Sequence, residues 1–559
     1  MLRLHRRVCH SEHIRTFCTR KIVTEGARYA AGMPQEPSAL DGRDPGPEVP
    51  SSPSGDPPPM VVHPDATDSA EPVPGAPPAP PAGDSLRSRA ALSTYATAVQ
   101  GLARLLYGVL IGHFGSRELL GQTNTSLSLS VLASQLWGAP ASAAGTRFVA
   151  ARATLGEAEA AEVVARHIAI RSTRITLVLP TAVALTGSLW LGFSAAHTIG
   201  TVVLAFTYSM YSTLRGIQYG ALRFRHVAVW DTIAGGVALV AVTVVLTLDL
   251  TAFALLPLAL GYALFAVVSW PARASGRVDA ALRRQIDHFV MFGAVSGLAS
   301  GGLLQFSQLA AHAYAGPGEA GDFAAAMTLA TPASMLSLAL GTVLVPPLVA
   351  AAGRGDRAAV HAQSDAIARR LTAIFVGLFG VLVIVSPLAI AVVWGEEYSA
   401  AAAVLPILLV AVMLASIALG AATTLVSTRV RGPRAVALVN LSGLVVSLAV
   451  WPFLAPSHGT VGVALGYLVG SGLASLGMLA TVWWVERHHW LDLAAKLVGG
   501  TAVVLVLAQL ARQVDGIPGA LAQLGAAAAF AVAWLLLNRH EVAALWATLR
   551  GRGTTPAST

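Results

Sequence analysis

From Ala90 almost to the C-terminus, apolar stretches of about 17 to 25 residues follow one another with short breaks, each long enough to cross the hydrocarbon core of a bilayer as a helix. Inside lipid the backbone must satisfy its own polar groups, which for open stretches of this length means α-helices. Fourteen are counted, at about 90–114, 121–143, 167–192, 197–214, 229–248, 251–270, 288–312, 321–350, 371–394, 399–427, 434–454, 460–483, 493–511 and 517–538. With 55% hydrophobic and 12% charged residues among 559, and a mean hydropathy of +0.64, the chain lies outside the range of soluble domains. It reads as an all-α polytopic membrane protein.

The loops test that count. Cytoplasmic loops collect Lys and Arg, so a correct set of spans places basic residues on alternate sides. Loops after even-numbered spans carry Arg147, Arg152, Arg166, Arg171 and Arg174, then Arg215, Arg223 and Arg225, and so on to Arg487 and Lys496; loops after odd-numbered spans carry only Arg117 and Arg512. Both termini are therefore expected in the cytoplasm, in a bacterial inner or plasma membrane. The same placement explains the net charge of +8 without nucleic acid, for which there is no basic patch interleaved with aromatics.

The expected organisation is a tail (1–88), six spans (89–270), a cytoplasmic linker (271–287), six more spans (288–485), two further spans (486–538) and a tail (539–559). Transporters often set their substrate path between two such bundles. The N-terminal tail is basic, then rich in Pro, Gly, Asp and Ser, a composition that cannot bury enough apolar surface to order itself. Its start is read either as a transit-like leader or as lying upstream of a true start at Met33 or Met60. The two cysteines, Cys9 and Cys18, fall there with His10 and His13, at a spacing that matches no common zinc module. No metal and no cofactor are expected.

Four stretches, taken in order, resemble the polysaccharide transport family, the lipid-linked oligosaccharide flippases of the multidrug/oligosaccharidyl-lipid/polysaccharide exporter superfamily. They are "GTRFVAARATLGEAEAAEVVARH" after span 2, "RGIQYGALRFRHVAVWDT" between spans 4 and 5, "EAGDFAAAMTLATPASMLSLALGTVLVPPLVAAAGRGD" at span 8, and "VVWGEEYSAAAAVLPILL" between spans 9 and 10. The resemblance covers nearly everything from 90 to 480. It implies an alternating-access exporter with two six-helix lobes around a central cavity, moving a lipid-linked glycan, with membrane lipids and glycan-assembly proteins as partners. The fourteen-span plan is equally similar to the lipid II flippases.

Arg104 lies near the middle of span 1, on a helical face with Thr97, Gln100, Tyr107 and Ile111. A mid-span arginine costs about 2.5 to 3.5 kcal/mol on insertion scales and is retained for a pathway or a partner. The face is expected to line the cavity, with the guanidinium fork suited to the diphosphate of an undecaprenyl-diphosphate glycan. The alternative is an arginine that snorkels or pairs with a helix end. On span 7, Gln305, Gln308 and His312 form a second polar stripe, read as cavity lining or as interhelical hydrogen bonding. Family members often carry an acidic residue near this stripe; this chain has glutamines. On span 2, Asn124, Ser128 and Gln135 share a face that is either close-packed or sugar-binding. Tyr208 and Tyr211 are read as interfacial aromatics, and Glu396, Glu397 and Tyr398 as a solvated rim.

Two other function classes are set against the flippase. A cation-coupled multidrug exporter would need a mid-membrane carboxylate, and Asp231, Asp287 and Asp322 are placed at span ends. A membrane glycan polymerase or glycosyltransferase would need a sizeable charged outer loop, whereas these are short, with no nucleophile, nucleotide or metal motif. No catalytic residue is expected.

Overall fold

A computed structural model describes residues 86–549, apart from 430 and 515; the tail, with the readings made of it, lies outside the described residues. Sixteen α-helices and no strand occur among those residues. Among the described residues, nine helical runs are long and apolar enough to cross a membrane, two of them of 53 and 55 residues. The protein is a multi-pass, all-helical membrane protein.

In order, the helices are α1 (Leu86–Phe114), α2 (Arg117–Gln135), α3 (Gly138–Ala144), α4 (Ala150–Ala153), α5 (Ala158–Trp190), α6 (Ala195–Gly220), α7 (Phe224–Thr247) and α8 (Leu256–Val268). Then follow α9 (Ala280–Gly353), α10 (Arg357–Ile384), α11 (Ser386–Trp394), α12 (Ala401–Thr428), α13 (Gly432–Glu486), α14 (Leu491–Ala511), α15 (Gly516–Leu537) and α16 (Arg539–Leu549). Twelve of the fourteen apolar stretches fall on one helix each and those at 121–143 and 371–394 run across a break; α9 and α13 each carry two stretches, because each is two helices joined at a glycine with positive φ: Gly316 (φ 84°) and Gly459 (φ 54°). Only a residue without Cβ takes such an angle at little cost.

Several expected boundaries move. The stretch at 167–192 is the apolar part of a helix that begins at Ala158, and the one at 371–394 begins at Arg357 and breaks at Val385, ahead of Pro387. Apolar content marks where lipid begins, while helical hydrogen bonding continues into the polar region. Span 2 breaks at Trp137, where Gly138 and Pro140 interrupt the ladder; the Trp137 indole donates to the Ser172 hydroxyl at 3.1 Å.

The loops with most arginines gather at one end, called here the arginine-rich end. At the opposite, charge-poor end, the N-terminal helices close on α9 and α11. The Tyr398 hydroxyl donates to the Gly112 carbonyl at 3.2 Å, Arg117 lies 3.6 Å from Asp322, and Gln308 donates to Thr125 Oγ1 at 3.2 Å. Gly121 faces the Pro317 carbonyl and the Gly321 amide so closely that a Cβ would overlap both. Near the arginine-rich end, Arg171 of α5 pairs with Asp287 of α9 at 2.7 Å. The last two membrane helices pack on α10: Trp534 donates to the Ala373 carbonyl at 2.7 Å, and Gly380 opens a notch for Phe530.

Candidate functional site

Arg104 projects from α1 into a space bounded by α6, α7 and α8. Two close approaches make that space small: Gly261 of α8 would place a Cβ 2.7 Å from the Ala234 carbonyl of α7, and Gly235 one 3.1 Å from Ala103 of α1. The result is a cavity of about 20 Å³ lined by Gln100, Arg104, Tyr211, Asp231 and Tyr262 among others, room for about one water.

The guanidinium is held by aromatics. Nε donates to the Tyr262 hydroxyl at 2.8 Å, and the guanidinium carbon lies 5.0 Å from the Tyr208 ring centre and 5.7 Å from that of Tyr262. Cation–π contacts of this kind contribute about 0.5 to 2 kcal/mol each, more when desolvated. Nη2 is buried with no hydrogen-bond partner among the described residues.

The cluster continues toward the arginine-rich end. Tyr211 packs on Tyr262 with ring centres 4.8 Å apart and donates to Asp231 Oδ1 at 2.8 Å; Arg215 Nε donates to Asp231 Oδ2 at 3.0 Å, and its Nη2 to Thr97 Oγ1 at 3.3 Å. Two arginines and one carboxylate leave one surplus positive charge, centred on Arg104.

Two sequence expectations are corrected by this arrangement. Asp231, placed at a span end, sits two turns inside α7, 3% exposed and lining the same cavity as Arg104. Tyr208 and Tyr211, read as interfacial, are part of the arginine cluster, with Tyr211 only 3% exposed. A signal was present: Tyr208, Tyr211 and Arg215 fall at i, i+3 and i+7, one stripe of α6. Nothing in the chain alone said that this stripe faces α1.

The remaining candidates are dispersed. Gln100 lines the cavity beside Arg104. Tyr107, a turn away, donates its hydroxyl to the Ala254 carbonyl. Asn124 bonds back to the Leu120 carbonyl of its own helix at 3.3 Å, and Gln135 lies against Gly297 and Gly301 of α9. Gln308 is buried, bonded to Thr125 and to the Ala320 carbonyl at 3.1 Å, and His312 packs edge-on to Phe193 at 5.1 Å. Gln305 is half-buried on α9. Of these candidates only Gln100 and Arg104 therefore share the cavity; Thr97 and Tyr107 bond elsewhere, to Arg215 and the Ala254 carbonyl, and the span 2 and span 7 polar residues lie along the contact between α2 and α9 or on their own helices.

The carboxylate of Asp231 is fully buried while Arg215 is 17% exposed. Removing one partner of such a pair costs about 3 to 5 kcal/mol. Asp231→Ala is thus expected to lower the midpoint of thermal unfolding of the detergent-purified protein markedly; an unchanged midpoint would show that the pair contributes little to the fold.

No family model matches the sequence, and no curated protein matches it either. Solved structures do. A multidrug resistance MATE family transporter of the MOP superfamily, in its inward-facing conformation, aligns with a TM-score of 0.55 at 14% identity, over 69% of this chain and 94% of its own. The lipid II flippase MurJ, in an inward closed conformation, aligns with a TM-score of 0.57 at 11% identity, over 81% of this chain and 100% of its own. A MOP superfamily transporter from Pyrococcus furiosus, described as having a binding pocket of reverse polarity, aligns with a TM-score of 0.51 at 14% identity, over 71% and 94%. The chain has the fold of these transporters.

Proposed function

We propose that the protein is an alternating-access flippase that moves an anionic, lipid-linked glycan across the cell membrane, with the arginine-rich end and both termini in the cytoplasm. The 89–270 and 288–485 helices form two lobes, between which the headgroup passes while the lipid tail stays in the bilayer. The observation that carries this reading is the buried, unpartnered Nη2 of Arg104 in a cluster with one surplus positive charge. An unsatisfied buried donor costs about 1 to 3 kcal/mol, and a phosphate oxygen accepting from it recovers that cost. The cavity as it stands admits no phosphate. Entry requires α1 to move off α8, freeing Nε from Tyr262, after which the fork takes a diphosphate in two parallel hydrogen bonds. The similarity to a lipid II flippase over 81% of the chain supports a lipid-linked substrate.

A second reading, a cation-coupled multidrug exporter, draws on the MATE likeness and on buried Asp231. Tyr211 and Arg215 already occupy both oxygens of that carboxylate, which leaves it poorly placed to take a cation. The deciding experiment depletes the protein and assays lipid-linked glycans by leaflet. Accumulation on the cytoplasmic leaflet is expected; its absence, together with altered drug resistance on overexpression, would transfer the assignment to the exporter.

A further inference from the structure

A second basic cavity lies at the arginine-rich end of the later helices, away from Arg104. It measures about 420 Å³ and is framed by the turn from α9 to α10 and by the ends of α12 and α13. That volume is in the range of small-ligand sites, about 300 to 1,000 Å³. Arg357, Ser427, Thr428, Arg429, Glu486 and Arg487 contribute its polar lining. Its character is unlike that of the cavities among α5 and α6, α10 to α14, and α14 and α15, whose walls are almost wholly apolar.

Three guanidiniums against one carboxylate leave two surplus positive charges. Glu486 is engaged by Arg429 at 3.1 Å, while Arg357 and Arg487 have no ion-pair partner among the described residues. Helix dipoles account for part of this basic lining: Arg429 and Arg487 cap the C-termini of α12 and α13, where a cation is favoured. They do not account for Arg357, the first residue of α10, where the dipole disfavours a cation. Nor do they explain the backbone of Arg487, whose φ of 54° is left-handed. A position of that kind usually carries glycine, and a side chain there is strained. An arginine held on strained backbone beside a cavity fits a side chain with a task.

We propose that this cavity binds a phosphate-bearing anion, with Arg357, Arg429 and Arg487 as its cationic ligands and the Ser427 hydroxyl as a further donor. Guanidiniums approaching from three helix ends suit the several oxygens of a phosphate or diphosphate. Occupancy would tie the α9–α10 turn to the ends of α12 and α13. Two sources carry this chemistry, the headgroup of an anionic phospholipid and a soluble phosphate ester. The inference stands apart from the Arg104 reading and survives if that reading fails.

The test uses the full chain in nanodiscs. In one arm, inorganic pyrophosphate is titrated against protein in phosphatidylcholine discs, with chloride matched for ionic strength. In the other, phosphatidylglycerol replaces part of the phosphatidylcholine and no pyrophosphate is added. The readouts are the thermal midpoint and, for pyrophosphate, the Kd. A rise in midpoint is expected in at least one arm. Pyrophosphate alone acting identifies a soluble ligand, phosphatidylglycerol alone a lipid headgroup, and both acting the same arginines serving either. Arg357→Gln should weaken pyrophosphate binding roughly tenfold or more, the loss of a charge-assisted contact. Arg487→Gly removes the guanidinium while relieving the backbone, so it should fold at least as well as the parent yet lose the response; Arg277→Gln, in the loop before α9, should keep it. No rise in either arm, or an equal rise in parent and Arg487→Gly, would overturn the proposal.

Discussion

Arg104→Ala is expected to cut transport of the proposed lipid-linked substrate by about 100-fold or more while leaving the purified protein folded. The estimate comes from two charge-assisted hydrogen bonds to a diphosphate, each contributing about 1.5 to 3 kcal/mol. The fold should tolerate the change because the guanidinium meets its surroundings through one hydrogen bond to Tyr262 and the faces of two tyrosine rings, none of which becomes a buried unpaired charge when it leaves. Arg104→Lys keeps the charge and loses the fork, so its transport should fall between alanine and the parent. Full activity in the lysine variant would argue against paired phosphate recognition; full activity in the alanine variant would remove the residue from the mechanism. The measurement is flipping of a labelled lipid-diphosphate glycan in proteoliposomes, with the thermal midpoint as the control for folding.

Gly121→Val should prevent the charge-poor end from closing. A Cβ at this position overlaps the Pro317 carbonyl oxygen, and backbone atoms of Gly321 and Ala320 lie just behind it, so no rotamer change relieves the clash. Overpacking of this kind costs about 1 to 3 kcal/mol, sometimes more, and inverting a two-state equilibrium from 1:99 to 99:1 takes about 5.5 kcal/mol. Alanine should therefore shift the population in part and valine further. Spin labels at Phe114→Cys and Ser457→Cys, both exposed near this end, report the separation across it. A longer distance with a nearly unchanged midpoint is the expected result. An unchanged distance with a lowered midpoint would make the Gly121 contact permanent packing, and alternating access would lose its closing point.

The parts of this architecture that were legible in the sequence are those set by lipid. Apolar length marked nine helical runs that can cross a membrane, while α1, α2 and α6 carry enough polar residues, Arg104 among them, to weaken that signal. Where a helix leaves the bilayer the signal stops, which is why α5 and α10 begin well before their apolar stretches. Arg104 and Gln100 could be placed on one face by helical spacing. The tyrosines and Asp231 that complete the cluster belong to three other helices, and their meeting depends on tertiary packing that spacing along one helix does not encode. The span 7 stripe shows the same limit in reverse: Gln308 and His312 do share a face, but that side of α9 meets α2 and Phe193 rather than open space.

The glycine joints at Gly316 and Gly459 have a practical consequence for anyone trying to label or tag this protein. Each replaces a loop with a single residue, and at the same end the connections from α1 to α2 and from α5 to α6 run only over 115–116 and 191–194, so this end offers few segments for a protease to cut or an antibody to grip. Inserted tags there should misfold the helix pair they interrupt.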